Sequence, residues 1–169
     1  MNVFIEGPNG SGKSTLADYV KNLLRWDQLN LHHRDGDQFR RYLAEYGRDK
    51  TVFVRAHWSE AVYSRLFGRA KPFSAKEYKT LTDAATLRGV YVLCLPNGHV
   101  LKERYQARIA QGLGGAMQEK LEAIDSEWAM WSQERERADI VYHSLDQNDM
   151  FNTAEWIVRM VREREVVNV

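Results

Sequence analysis

The sharpest constraint on this chain lies between residues 3 and 24. An apolar run, Val3-Phe4-Ile5, leads into Gly7-Pro8-Asn9-Gly10-Ser11-Gly12-Lys13-Ser14, after which Leu16, Val20, Leu23 and Leu24 recur at helical spacing. The middle stretch reads glycine, four residues, glycine, lysine, serine without a gap. Strand, glycine-rich loop and helix in that order converge backbone N–H groups and a helix dipole on one point, which suits the oxygens of a polyphosphate. On this reading Gly7, Asn9, Gly10, Ser11, Gly12, Lys13, Ser14 and Thr15 hold the phosphates of ATP. Lys13 reaches the β and γ phosphates from a solvent-facing loop, and Ser14 ligates Mg²⁺. The competing reading is a strand-to-helix turn that binds nothing; the correct context on both sides speaks against it.

Further along, Leu29 to His33 predicts a second strand and Thr51 to Val54 a third. A helix is expected from about His57, with Trp58, Val62 and Leu66 on one face. Ser74 followed by Glu77 is a capping-box pattern for a helix that stops at Gly89. Val90 to Leu95 reads as a buried strand closed by Pro96-Asn97-Gly98. A long helix over about 116–137 carries Met117, Leu121, Ile124, Trp128 and Trp131 as a core stripe. A strand at Asp139–Tyr142 and a closing helix with Phe151, Ala154, Ile157, Val158 and Val161 complete the chain. The alternation predicts an α/β fold: a parallel sheet of about five strands, helices on both faces, and right-handed connections.

With 169 residues, the chain suits one domain spanning 1–169, able to bury about 70% of its unfolded surface. Apolar residues at 44% and charged residues at 28% exclude collagen-like and disordered classes. The one cysteine, Cys94, has no internal disulfide partner and reads as a buried strand residue. No stretch approaches the roughly 18 apolar residues of a membrane span, and no signal-peptide pattern opens the chain, so a cytoplasmic protein without a membrane partner is expected. Five histidines show no paired ligand spacing, which argues against zinc. Residues 34–111 carry a net charge of +7 and residues 112–169 carry −6. Ten of the fifteen basic residues in the first of these stretches are arginines interspersed with acids, which suits several phosphate contacts in one cleft better than a track along a duplex. A solvated surface is the plainer alternative.

Phe4-Ile5-Glu6-Gly7-Pro8-Asn9-Gly10-Ser11-Gly12-Lys13-Ser14-Thr15 resembles the opening of thymidylate kinases and related deoxynucleotide kinases, including the Glu before the loop. Val54-Arg55-Ala56-His57-Trp58-Ser59-Glu60-Ala61-Val62-Tyr63 resembles a second block of short phage-type members, Asp-Arg at a strand end followed by Ser-Glu-x-Val-Tyr. The resemblance implies a P-loop kinase fold and places Arg55 at the grip on the acceptor phosphate. It also makes residues of about 97–115 a small lid whose Arg104 and Arg108 close over the transferring group. This sequence departs from the family twice: Val54 replaces an acid that serves Mg²⁺ or the acceptor, and Asn9 replaces an Asp that contacts the sugar.

His32-His33-Arg34-Asp35-Gly36-Asp37 resembles the Asp-Gly-Asp of small P-loop kinases that act on hydroxyls, where Asp35 or Asp37 accepts a proton or organises Mg²⁺. An Asp-Gly turn explains the same residues. Arg104 and Arg108, four apart on one helix face between glycines, fit either a closing lid, with Lys102 beside them, or a solvated helix. His57, Trp58, Tyr63, Phe39 and Tyr42 are candidates for stacking on an acceptor base; core packing is the stronger reading for Trp58, Phe39 and Tyr42. The expected reaction is transfer from ATP to a small-molecule nucleotide, a nucleoside monophosphate first. The alternatives are a hydroxyl of a nucleoside or of 5-hydroxymethyluracil in phage DNA, or a nucleotide sensor without efficient transfer. Monomer and homodimer both stay open.

Overall fold

The computed structural model describes residues 1–32, 36–112, 121–144 and 146–167. In chain order the elements are β1 (Asn2–Glu6), α1 (Lys13–Leu24), β2 (Asp27–Asn30), α2 (Gln38–Tyr46), β3 (Thr51–Val54), α3 (His57–Leu66) and α4 (Ala75–Arg88). They continue with β4 (Gly89–Cys94), α5 (Gly98–Ala110), α6 (Ile124–Ser132), a 3₁₀ turn (Arg135–Arg137), β5 (Ile140–Tyr142) and α7 (Gln147–Val167). The five strands form one parallel sheet, as the alternating pattern predicts, and the structure sets their order as β2-β3-β1-β4-β5.

Strand residues sort onto two faces by the period of two. Val3, Ile5, Val52, Val54, Val90, Val92, Cys94 and Ile140 pack against Leu16, Ala17 and Val20 of α1 and against Ala154, Ile157 and Val161 of α7. The alternate positions are larger: Phe4, Phe53, Tyr91 and Leu93 meet Tyr42 and Tyr46 of α2, Trp58 and Val62 of α3, Leu81 and Ala85 of α4, and Trp131 of α6. Phe4 stacks on Phe53 at 5.0 Å, and Trp58 stacks on Tyr91 at 4.3 Å. Trp58 is therefore core, as expected, and so is fully buried Cys94.

Two boundaries differ from the sequence reading. β2 begins and ends earlier than Leu29–His33, because this edge strand is defined by its ladder with β3, from Asp27↔Thr51 to Asn30↔Val54, and not by its own apolar residues. The long helix expected over 116–137 is shorter among the described residues: α6 stops at Ser132, and the Arg135–Arg137 turn redirects the chain into β5. Ile124 and Trp131 still face the core, whereas Met117 lies outside the described residues. The capping box at Ser74 and Glu77 is formed, and α4 stops at Gly89 as expected, where extended backbone begins β4. No helix among the described residues is long and apolar enough to cross a membrane.

Candidate active site

The loop of residues 7–12 leaves the carboxyl end of β1, the central strand, where a parallel sheet places its ligands. Two glycines shape it. Gly7 has φ of 132°, and a Cβ there would lie 2.1 Å from the Cys94 carbonyl oxygen. Gly12, the residue before α1, has φ of 90°, and a Cβ there would meet Ser144 Oγ at 2.8 Å. The first turn of α1 carries no acid, and its N–H groups have no partner within the helix, which leaves the dipole available to an anion. A cavity of about 120 Å³ opens here, lined by residues 9–15 together with Asn30, Val54, Arg55 and Arg108. Ser14 and Thr15 are exposed beside it.

Lys13 is not solvent-facing, contrary to expectation. Its side chain folds back under the loop, and Nζ donates to Gly7 O at 2.7 Å and Pro8 O at 2.5 Å, so only 6% of the residue is exposed. Burial holds its pKa down at about 8. The ammonium is nonetheless charged at neutral pH, and the loop carbonyls hold it beneath the cavity.

Arg55 follows β3 and has φ of 63°, the left-handed region that costs a residue with a Cβ about 1–2 kcal/mol. The turn is held by Glu6, the last residue of β1. The buried Glu6 carboxylate accepts from Ala56 N at 2.6 Å, from Ser59 N at 3.1 Å and from the Ser59 hydroxyl, and so caps α3 from a neighbouring strand. The outcome is a guanidinium aimed back at the loop: Nη2 donates to Asn9 Oδ1 at 2.6 Å, and Nη1 lies 3.2 Å from His32 Nδ1.

Burial raises the Glu6 pKa to about 7, outweighing the bonds from Ser59 and Ala56 that lower it. A carboxyl whose folded pKa exceeds its unfolded value favours the folded state most at low pH. That advantage is lost as pH rises from about 4.5, the ordinary value, through about 7. Glutamine keeps an acceptor for both backbone donors but cannot ionise. The stability of Glu6→Gln relative to the parent should therefore rise between pH 5 and 7 and level off above, measured by chemical denaturation across pH. Glu6→Ala should cost about 1–3 kcal/mol for each donor left bare. Parallel pH profiles for parent and Glu6→Gln would remove Glu6 as the titrating group.

Arg55 separates the loop cavity from a second one of about 270 Å³, lined by Asn9, Leu31, His32, Tyr42, Arg55, Ser59, Glu60, Tyr63, Phe67 and Arg69. Tyr63 and Phe67 are parallel at 6.1 Å, and Arg69 pairs with Glu60 at 3.6 Å. Of the base-stacking candidates, Tyr63 and Tyr42 reach this cavity. Phe39 packs against the aromatic core. His57 is fully buried: Thr82 Oγ1 donates to Tyr78 O, so it accepts from His57 Nε2, and Nδ1 accepts from Tyr46. Burial keeps the His57 pKa down at about 3, so it stays neutral.

On the opposite side of the loop a third cavity, about 450 Å³, is lined by Gly10, Gly12, Thr15, Arg104, Arg108, Tyr142, Ser144, Asp146, Gln147 and Met150. Arg104 spans it, donating to Gly10 O at 3.1 Å, Ser144 Oγ at 3.0 Å and Ser144 O at 2.8 Å. It thus ties α5 to the loop and to the segment after β5. Arg108, one turn on and exposed, lines both this cavity and the loop cavity. The start of α5 is anchored too, since Trp128 Nε1 donates to Pro96 O at 2.9 Å. Asp37 caps α2, accepting from Arg40 N at 3.0 Å and pairing with Arg40 Nε at 3.3 Å. Asp35 and residues 113–115, with their expected hinge glycines, lie outside the described residues.

Glu127 was not foreseen. It sits on α6, fully buried, with Asn9 N, Tyr63 OH and Tyr105 OH all donating to its carboxylate. A signal was present: position 127 lies three after Ile124 and four before Trp131, an acid on the apolar face.

No protein-family model matches this sequence, and no curated protein matches it by sequence. Solved structures do resemble its fold. YorR from Bacillus subtilis, in complex with phosphorylated GDP, superposes with a TM-score of 0.79 at 17% identity, covering 98% of each chain. Shikimate kinase from Acinetobacter baumannii gives 0.59 at 16% identity, over 96% of this chain and 93% of that one. Deoxyadenosine kinase from M. mycoides with bound dATP gives 0.57 at 14% identity, over 96% and 100%. Five parallel strands in this order, helices on both faces and a phosphate-type loop after β1 give the chain the fold of the P-loop kinases.

Proposed function

We propose that the chain is an ATP-dependent phosphotransferase acting on a deoxynucleotide, a nucleoside monophosphate as in thymidylate kinases. The observation that carries this reading is Arg55, which stands between the loop cavity and the cavity lined by Tyr42, Tyr63 and Phe67. One guanidinium there serves an acceptor phosphate on one side and the transferring group on the other. An acceptor phosphate oxygen attacks the γ-phosphorus, the bond to the β–γ bridging oxygen breaks, and ADP departs with that electron pair. Lys13 and the loop amides hold the donor phosphates, and Arg108 stands beside them. The third cavity, between Arg104 and Gln147, is left for the donor's nucleoside.

Bound Mg²⁺ neutralises charge on the donor phosphates. The Ser14 hydroxyl, in the first turn of α1, would hold it. Among the described residues no three His, Cys, Asp or Glu side chains gather into a metal site, which fits an ion held largely by phosphates and water.

A phosphate acceptor, with a second pKa of about 6, is already largely ionised at neutral pH and needs no general base. Val54 is then tolerable, and Asp37 is free to cap α2. A hydroxyl acceptor needs its proton removed, a task worth about 10²–10⁴ in rate. Asp37→Asn should therefore cost less than about tenfold in kcat. The deciding experiment offers γ-labelled ATP to nucleosides, nucleoside monophosphates and hydroxymethylated DNA. Label in a nucleoside diphosphate is expected. Label on a nucleoside hydroxyl or on DNA would overturn the acceptor, and ADP release indifferent to every acceptor would overturn transfer in favour of a sensor.

A further inference from the structure

Glu127 is a carboxylate with no exposure that collects donors from three elements: Asn9 N of the loop at 3.2 Å, Tyr63 OH of α3 at 2.6 Å and Tyr105 OH of α5 at 3.1 Å. Each donor leads to part of the proposed site. Asn9 carries the Oδ1 that orients Arg55. Tyr63 walls the aromatic cavity. Tyr105 lies one residue after Arg104 on α5 and packs on the loop, where a Cβ at Gly10 would be 3.2 Å from its ring.

We propose that Glu127 is a positioning residue, which orients Arg55 through Asn9 and locks the aromatic wall and α5 to the phosphate loop. The proposal rests on the kinase reading above and gives Glu127 no contact with the reacting atoms. The energetics favour such a role over packing. An apolar side chain would fill the space without desolvating a carboxylate, but it would leave two tyrosine hydroxyls and the Asn9 N–H without an acceptor in the interior. The neutral side chain at position 9 suits this neighbour, since an aspartate would bring a second carboxylate beside that of Glu127. Burial and the Glu127 carboxylate both push the Tyr63 hydroxyl well above its ordinary pKa, so it remains a donor throughout the working pH range.

Glutamine at 127 preserves an acceptor for Asn9 N and Tyr63 and offers its amide to Tyr105; aspartate keeps the charge but falls one methylene short; alanine removes everything. With a monophosphate acceptor, Glu127→Ala and Glu127→Asp should raise the acceptor KM or lower kcat by about tenfold or more. The KM for ATP should change less than the acceptor's, and Glu127→Gln should stay within about threefold of the parent throughout. A second readout needs no acceptor: the Arg55 Nε–H resonance, slowed in exchange when the guanidinium is held, should persist in Glu127→Gln and broaden in Glu127→Asp. Failure to phosphorylate any monophosphate would strike the kinase reading and leave this resonance test standing. A sharp Arg55 resonance in folded Glu127→Asp, or Glu127→Ala that loses melting temperature with acceptor KM and kcat intact, would reduce Glu127 to a structural residue.

Discussion

Replacing Lys13 with alanine is expected to lower phosphoryl transfer by at least about 10²–10³-fold while leaving the protein folded. The functional half follows from electrostatics, because the ammonium is the cation the loop holds directly beneath the donor cavity, in an interior where a charge acts with little screening. The structural half is less obvious for a side chain only 6% exposed. Lys13→Ala strips a donor from the Gly7 and Pro8 carbonyls, but it also relieves the burial that holds the ammonium's pKa down at about 8. These effects oppose each other, so the melting temperature should move by only a few degrees while activity collapses. Steady-state kinetics with circular-dichroism melting on the same preparation measures both. Near-parental turnover in folded Lys13→Ala would overturn the donor-site assignment.

Arg55 substitutions should have the second largest effect, and they separate function from backbone strain. On the proposed reading, in which one guanidinium serves both phosphates, Arg55→Ala should lower kcat/KM for the acceptor by about 10²–10³-fold, since water cannot replace it. Arg55→Lys should recover only part of that loss, because an ammonium is a point charge without the planar fork that reaches Asn9 and leaves further N–H groups for the proposed acceptor phosphate. The φ of 63° adds a comparison independent of catalysis. Glycine adopts that conformation without penalty, so Arg55→Gly should be as inactive as Arg55→Ala yet more stable than it by about 1 kcal/mol. Equal stabilities would mean the turn relaxes when the arginine is lost. Full activity in Arg55→Ala would move the acceptor grip elsewhere, with Arg69 the nearest alternative.

The amino-acid sequence by itself determined the loop and the parallel sheet, because each is written in local patterns. The glycine spacing before Lys13 marks a loop with backbone that glycine adopts most readily, and the apolar runs at residues 3–5, 51–54 and 90–95 mark the buried strands. Helix periodicity likewise placed Ile124 and Trp131 in the core. What tertiary structure decided is how distant segments meet. Asn9 and Glu127 stand 118 positions apart, and no periodicity couples them; only the packing of α6 against α3 and α5 brings that acid under the loop. The same holds for Glu6, which reaches α3 because β1 and β3 are adjacent, and for Lys13, whose burial depends on the carbonyls it folds beneath. Asp37 shows the converse. Its sequence context suits both an acid at a reaction centre and a turn, and the structure uses the carboxylate to cap α2, since the unpaired N–H groups at a helix start take the nearest acceptor.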